Sequence, residues 1–574
     1  MTDPRDVLSP AISAAIGRAL GPEHEGADPV LRPSQYADVQ ANAALALAKR
    51  VGTSPREVAA RVVAELDDLP ATVEISGPGF LNITFDDVWV ASLLGGLAAD
   101  PRLGVPTQEA QVVPIDYSAP NVAKEMHVGH LRTTVVGDAL ARTLEHLGHR
   151  VVRQNHIGDW GTPFGMLIEH LLAVGEGSEE ALLLESDPNA FYQAARAEFD
   201  GDEDFATRSR ARVVALQAGD QETLRLWAEL VELSRHYFNR IYSTLGVTLT
   251  DDDLAGESTY NADLAGICDE LEAKGLATVS DGALCVFLEG HTGREGKPVP
   301  LIIRKSDGGY GYATTDLATI RHRVERLGAD RCLYVIGAPQ ALHLEMVWET
   351  ARLAGWLPDD VEVVHVKIGN VLGEDRKILR TRSGAPLRLM ALLEEAQANA
   401  RREVDSTRPE LAEEVRAAIA PVVGIGAVKY ADLSVAHDSE YVFDLDRMLA
   451  FTGNTGPYLQ YAAARIHSIF RSAGVVPSHA APIVLGEPAE RALALQLLRF
   501  GTVVAEVGDT LEPHRLCTYL FDLAQDFSAF YEHCPVLRAA TPQLRESRLS
   551  LAGLTLAVLV QGLDLLGIET PEQM

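Results

Sequence analysis

A multidomain α/β protein built on a doubly wound parallel sheet is expected from three features of this 574-residue chain. A buried strand, an amphipathic helix and a second strand follow one another between residues 112 and 154, an order that calls for parallel pairing. The alternation returns after a charged, helical interruption that runs from about residue 171 to 290. Beyond about residue 386 the periodicity is that of helices alone. At roughly 100–200 residues per domain, the length allows about three to five domains.

Residues 1–108 are expected to form a small α+β unit. In it "YADVQANAALALAKRVG" has helical spacing, and "ATVEISGPGFLNITF" reads as strand, Pro-Gly turn, strand. The loop-like composition from Pro101 to Pro106 marks its end. The first half of the core, 109–170, opens with "AQVVPIDYSAP", which supplies a strand from Val112 to Tyr117. "GHLRTTVVGDALARTLEHLG" follows as a helix stopped by Gly148, and "HRVVRQNHIGDWG" is the next strand, running into a Gly-rich turn. An insertion is expected over 171–290 and the second half of the core over 291–385, restarting at "VPLIIRKSDGGYGYATTDLATI". A helical stem over 386–450 and an all-helical domain over 451–574 complete the chain.

Composition narrows the partners. The formal net charge is −31, with 81 acidic against 50 basic residues. Such a surface repels bulk polyanions, so any nucleic-acid contact has to be local. The five cysteines include no C-x-x-C pair, which disfavours disulfides and structural zinc and fits a reducing compartment. The amino terminus lacks a basic-then-apolar leader, and no apolar run reads as long enough to span a bilayer. A soluble, cytoplasmic protein with no membrane partner is the expectation.

The chemistry concentrates in "SAPNVAKEMHVGHLRTT", which begins at Ser118 at the carboxyl end of the first core strand. Ligands of doubly wound sheets bind beyond such ends. His127 and His130, three apart at a helix start, could belong to a metal site, yet zinc needs further ligands at fixed spacing and the chain has no H-E-x-x-H. Phosphate chemistry fits better. A helix amino terminus offers N–H groups and a partial positive charge. The imidazoles can donate to oxygens that gain charge, and Gly129 lets a flat base or ribose approach the backbone. Lys124 adds a cation. These groups stabilise a phosphoryl-centred transition state, each contributing a few kcal/mol. No nucleophilic side chain is required, because the substrate's own carboxylate would attack.

"DYSAPNVAKEMHVGHLR", "NHIGDWGTPFG", "YVIGAPQ", "AVKYADLS", "YVFDLDRML" and "GNTGPYLQYA" occur in this order, and the chain closes on "LLGIETPEQM". Together they resemble the class I aminoacyl-tRNA synthetases, and in detail the arginyl-tRNA synthetase family. The resemblance implies a Rossmann-type catalytic core, an N-terminal additional domain that touches the tRNA elbow, and a helical anticodon-binding domain. It implies ATP-dependent activation of L-arginine to arginyl-adenylate and transfer to the 3′ end of tRNA(Arg), with ATP carried as its Mg2+ complex and no protein-bound metal cluster. A monomer is the default.

The resemblance assigns ATP to His127, Gly129 and His130, with the phosphates toward Lys124. Asn121 and Gln340 are similar to residues that hold the amino acid's α-groups. Tyr312 and Asp316 match the pair used on the guanidinium, and Asp116 matches a second acidic position. Physics agrees with that choice: a planar fork of donors calls for carboxylates placed for paired hydrogen bonds, and residues four apart share a helix face. Ordinary core packing for Tyr312 and a plain helix-start carboxylate for Asp316 are the alternatives. The chain departs from the class I pattern where K-M-S-K-S is usual, as many arginyl members do. "LRTRS" stands there, so Leu379 replaces the first lysine while Thr381 and Arg382 keep a hydroxyl and a cation. Lys377, Arg380 and Lys124 are the other candidates for the missing charge.

For RNA, Asp38, Gln40 and Asn42 in "YADVQANAA" resemble the elbow-contacting segment and are expected in a turn or helix start, with capping as the alternative role. In the last domain, Phe451 to Met574 holds eight Arg, no Lys and twelve acidic residues, so base stacking on aromatics with individual arginines on phosphate is expected. Tyr458, Tyr461 and Arg465 lie there at helical spacing, as a core stripe also would. Two other classes share parts of the pattern. A tRNA-independent nucleotidyltransferase would not need the insertion and the helical tail. An inactive tRNA-binding relative would not need intact Asn121, His127, His130, Tyr312 and Asp316.

Overall fold

Val112–Asp116 reads Val-Val-Pro-Ile-Asp, apolar toward both faces, and becomes the first strand of a four-stranded sheet. The others are Arg150–Gln154, Arg331–Gly337 and Glu362–Ile368, all paired in parallel in the order fourth, third, first, second. This computed structural model describes residues 3–122, 124–292, 296–380 and 387–574. The first strand pairs with the second along its whole length but with the third only at Ile115 and Asp116. Pro114 between them has no N–H to give. Because the chain leaves the first and third strands in opposite directions, a crevice opens beyond their carboxyl ends.

Both faces of the sheet are covered. Along the third strand Leu333 and Val335 join the core that contains the helix Val128–Leu147. Cys332 and Tyr334 join a second core with the helices Tyr312–Glu325 and Ala341–Ala354. This alternation is the period of two expected of a strand buried on both sides. Gly148, at φ 103°, ends the Val128–Leu147 helix as the sequence predicts.

The insertion folds because its charges are placed as caps. Asp187, Asp202 and Asp220 each accept backbone N–H groups at the start of Pro188–Gly201, Glu203–Gln217 and Gln221–Leu245. One expectation is corrected here. Pro298–Arg304 does not restart the parallel sheet; it pairs antiparallel with Ala283–Thr292, which pairs with Ala277–Ser280. Its prolines lack donors, and Leu301 and Ile303 are buried while Ile302 is 44% exposed. That one-sided pattern belongs to an antiparallel edge. The core resumes instead at the helix Tyr312–Glu325.

The amino-terminal unit is a four-stranded antiparallel sheet covered by the helices Pro4–Leu20, Ala43–Val51 and Pro55–Ala64. Its Pro-Gly turn joins Ala71–Ser76 to Phe80–Phe85. Arg491, on the helix Pro488–Leu498, fastens this unit to the carboxy-terminal helices through Asp38 at 2.5 and 2.7 Å and Asp87 at 2.7 Å. In the helical domain, Pro542–Leu565 is long and apolar enough to cross a membrane by length and composition, contrary to the reading of the sequence. The apolar window of that helix is 78% buried inside the protein, so its hydrophobicity is accounted for by the core.

The Val128–Leu147 helix approaches the first strand closely at Gly137. A Cβ there would stand 2.3 Å from Cβ of Tyr117. We expect Gly137→Ala to destabilise the protein by about 1–3 kcal/mol and to slow the reaction as the helix is pushed from the strand. Thermal melting and steady-state kinetics on the same preparation check both.

Candidate active site

The chain leaves the first strand through a strained turn. Ser118 and Ala119 have φ values of 69° and 45°, a conformation that costs about 1–3 kcal/mol per residue and persists only where the surroundings enforce it. The Ala119 N–H donates to Asn155 Oδ1 at 3.1 Å, Asn155 Nδ2 donates to the Tyr242 hydroxyl at 3.0 Å, and that hydroxyl lies 2.8 Å from Ser118 Oγ. Thr134 donates to the same Ser118 oxygen at 2.9 Å. Asn121, just beyond, is gripped by Gly158, whose backbone pairs with Pro120 and Val122.

His127 is the cap of the Val128–Leu147 helix. Its Nδ1 accepts from the Gly129 N–H at 3.1 Å, and Nδ1 of His130 accepts from the His127 N–H at 3.1 Å. With both Nδ1 atoms engaged as acceptors, the neutral rings carry their protons on Nε2. Burial, then the neighbouring imidazole, push His130 down to about 3; burial and Lys124 lower His127. Both are neutral donors at physiological pH. The expectation of free backbone donors is corrected. The Val128 N–H donates to Leu387 O, and the His130 N–H to His127 O. The first-turn amides are thus already engaged, and the imidazole Nε2–H groups are the donors left at this helix start.

A cleft of about 750 Å³ collects Asp116, Asn121, His127, Gly129, His130, Tyr312, Asp316 and Gln340. Eight positions singled out from sequence are thus brought together. Tyr312 stands 67% exposed at the mouth, one helical turn from Asp316. Asp316 accepts from His343 Nε2 at 2.6 Å and lies 3.9 Å from His156. The Asp316 carboxylate raises the pKa of His343. Asp116 differs from the simple expectation of an open carboxylate. Its Oδ2 is held at 2.8 Å by the fully buried Arg323, leaving Oδ1 buried without a partner.

Sequence reasoning missed Glu257, which lines the same cleft and is 8% exposed. Burial, then the charges of Asp316 and Asp159, push its carboxyl up to about 8. Three carboxyl groups therefore face one cavity, with Arg323 beside Asp116 and the charge of Lys305 opposing the rise at Glu257. Such an arrangement attracts a cation with several donors. His156, His343 and Arg323 were also missed. Their partners lie far away in sequence, so no spacing announces them.

Other positions fall elsewhere. Lys124 lies outside the main cleft, in an adjoining cavity that shares Asn121, His127 and His130. Thr381 and Arg382 lie outside the described residues. Arg380 lines the cleft, while Lys377 lines an open groove beside it. Gln40 sits in a strand, not a turn or helix start, and donates to Asn82 Oδ1 at 2.8 Å. Asn42 precedes a helix without capping it through its side chain, and its Oδ1 is buried without a partner. Tyr458 packs on Phe521, Tyr461 is 39% exposed, and Arg465 lies 3.9 Å from the centroid of the Tyr531 ring.

Comparison with known proteins gives the family. Residues 93–445 match the model for tRNA synthetases class I (R), catalytic domain. Residues 6–85 match the arginyl tRNA synthetase N terminal domain, and 459–574 the DALR anticodon binding domain. An arginine–tRNA ligase of Thermobifida fusca is 70% identical, covering 100% of both chains. One of Frankia casuarinae is 53% identical over 98% of this chain and 97% of its own. Among solved structures, Plasmodium falciparum arginyl-tRNA synthetase superposes with a TM-score of 0.84 at 27% identity, over 99% of each chain. The Thermus thermophilus enzyme superposes with a TM-score of 0.79 at 26% identity, over 99% of this chain and 100% of that one. In sequence, domain content and fold, this chain belongs to the arginyl-tRNA synthetase family.

Proposed function

We propose that this protein activates L-arginine with ATP to arginyl-adenylate and passes the arginyl group to the 3′ end of tRNA(Arg). The observation that carries this reading is the convergence of Asp116, Glu257 and Asp316 in the cleft that also holds His127 and His130. A guanidinium brings five donors in a plane and fits carboxylates on several sides. A lysine ammonium would leave acceptors unpaired in a desolvated pocket. Asn121 and Gln340 then hold the α-groups, so that the carboxylate faces the α-phosphorus of ATP.

The substrate carboxylate attacks that phosphorus and pyrophosphate leaves. The Nε2–H groups of His127 and His130 donate to oxygens that gain charge, and Gly129 leaves room for the nucleotide. ATP enters as its Mg2+ complex, and we assign Lys124, Thr381 and Arg382 to its phosphates. A terminal ribose hydroxyl of the tRNA then attacks the activated carbonyl, and AMP leaves. We assign Gln40 and Asn42 to the tRNA elbow, and Tyr458, Tyr461 and Arg465 to the anticodon arm. We place the enzyme in the cytoplasm as a monomer; its five buried free thiols suit a reducing compartment.

The direct test is aminoacylation of total tRNA with each amino acid in turn. Arginine alone should be charged, and only onto tRNA(Arg). Charging with any other amino acid, or none with arginine, overturns the reading.

His130→Ala should slow adenylate formation by about 10²–10³-fold and leave tRNA affinity unchanged. Because the His130 ring stays neutral down to about pH 3, its titration should not appear in the pH–rate profile between about pH 5 and 8.

Glu257 sets the pH dependence of arginine binding. Its carboxyl is raised in the folded protein, so it contributes stability at low pH that is lost as pH rises through about 8. The guanidinium binds the ionised form, so the sign for binding is opposite. Arginine affinity should rise with pH, by at most about tenfold per unit, up to about 8. Glu257→Gln should flatten that slope and weaken binding at pH 8, as read by calorimetry.

A further inference from the structure

Lys124 rides on a flexible four-carbon stem, and such a charge needs a guide to act at one place. Its ammonium lies 4.4 Å from the centroid of the Tyr192 ring, within the distance at which an aromatic face attracts a cation. Tyr192 belongs to the insertion, on the helix Pro188–Gly201. The two side chains wall a cavity of about 350 Å³ that opens beside His127 and His130 and shares Asn121 with the main cleft.

The helix is fastened to the same loop by charge. Asp187, its cap, pairs with Arg388 at 3.2 Å, and Arg388 pairs with Glu125 at 2.8 Å. Residue 388 also bridges to His127 through the backbone. The insertion helix, the loop that carries Glu125 and His127, and the segment at Arg388 therefore meet at one point. Leu379 lines the main cleft where class I synthetases usually have a lysine, and it brings no charge.

We propose that Tyr192 is a positioning residue that holds the Lys124 ammonium at the phosphate side of the cleft, so that the insertion helix governs where the charge absent at Leu379 is supplied. The inference rests on the placement of ATP given above. It makes the phosphate site sensitive to any movement of the insertion.

The test is ATP–pyrophosphate exchange by the full-length enzyme with arginine and tRNA(Arg) present. Tyr192→Leu keeps apolar bulk and removes the π face. It should raise the KM for ATP about five- to tenfold while the melting temperature stays near that of the parent. Tyr192→Phe keeps the face and should stay within about twofold of the parent. Stepwise fluorination of a phenylalanine at this position should raise the KM in step with the loss of ring charge. In a Lys124→Met background, Tyr192→Leu should add less than about twofold, as the two groups act as one. A Phe variant as impaired as the Leu variant, or a Leu penalty undiminished without Lys124, overturns the inference while leaving the ATP placement intact. A Lys124→Met enzyme with unchanged KM for ATP overturns that placement instead, and the inference with it.

Discussion

The site depends on a buried ion pair. Arg132, two residues beyond His130, is completely buried and donates to Asp432 at 3.1 Å. It also donates to the backbone oxygens of Ser439 and Ala436 at 2.6 and 3.4 Å. Asp432 receives a second hydrogen bond from Tyr441 at 3.1 Å. Truncating one partner of such a pair leaves an unpaired buried charge and costs about 3–5 kcal/mol. The consequence is geometric. The segment held by Arg132 supports the end of the fourth strand, where Gly369 donates to His437 O and Val371–Leu372 pairs with Tyr441–Val442. The histidine helix and the strand Val371–Leu372 thus share one anchor.

The same helix is clamped again two turns on. Burial opposes the charge of Asp138, yet Lys429, Arg142 and Thr248 hold its pKa below the usual carboxylate range. Burial takes Lys429 down to about 8; its ammonium donates to Leu245 O at 2.8 Å and to Gly567 O at 2.5 Å. The end of the insertion, the stem helix Glu413–Leu433 and the closing segment therefore converge on Val128–Leu147. Because packed elements move as units, a displacement of the stem reaches His127 through this helix. The two clamps tie the stem helix and the closing segment to the histidine helix.

Local patterns were legible in the sequence, and distant ones were not. The first two core strands, the helix between them and its Gly148 stop all follow from hydrophobic period and turn chemistry. So does the shared face of Tyr312 and Asp316. Their meeting with Asn121 and Gln340 was legible only because strand ends define one crevice. Glu257 carried no such signal. It lies in a short 3-10 turn after the insertion helices, and its neighbours Asp159 and Asp316 come from two other segments. Arg323 looks like an ordinary helix arginine until the fold puts Asp116 beside it. Pro298–Arg304 misled because short apolar runs do not reveal which sheet they join. The helix start misled for a different reason: the general rule of free amides does not foresee that His127 and Leu387 occupy them.

A protein of net charge −31 must still hold a polyanion. The helical domain has eight arginines and no lysine, and several arginines are engaged within the protein. Arg548 pairs with Glu490, Arg491 with Asp38, and Arg515 with Glu512. Arg471 donates to Glu572 O. Nonspecific attraction to RNA is therefore weak by construction, since each phosphate must meet a particular cation. If the domain holds RNA as proposed above, exposed rings assume more of the task. Tyr461 and Tyr531 are 39% and 38% exposed, and Arg465 lies over the latter. Stacking on such surfaces is insensitive to salt, whereas each phosphate contact steepens the salt dependence by about 0.7–0.9 in the logarithmic slope. An acidic body with few local cations thus favours recognition by shape and base over capture by charge, and reduces retention of the wrong RNA.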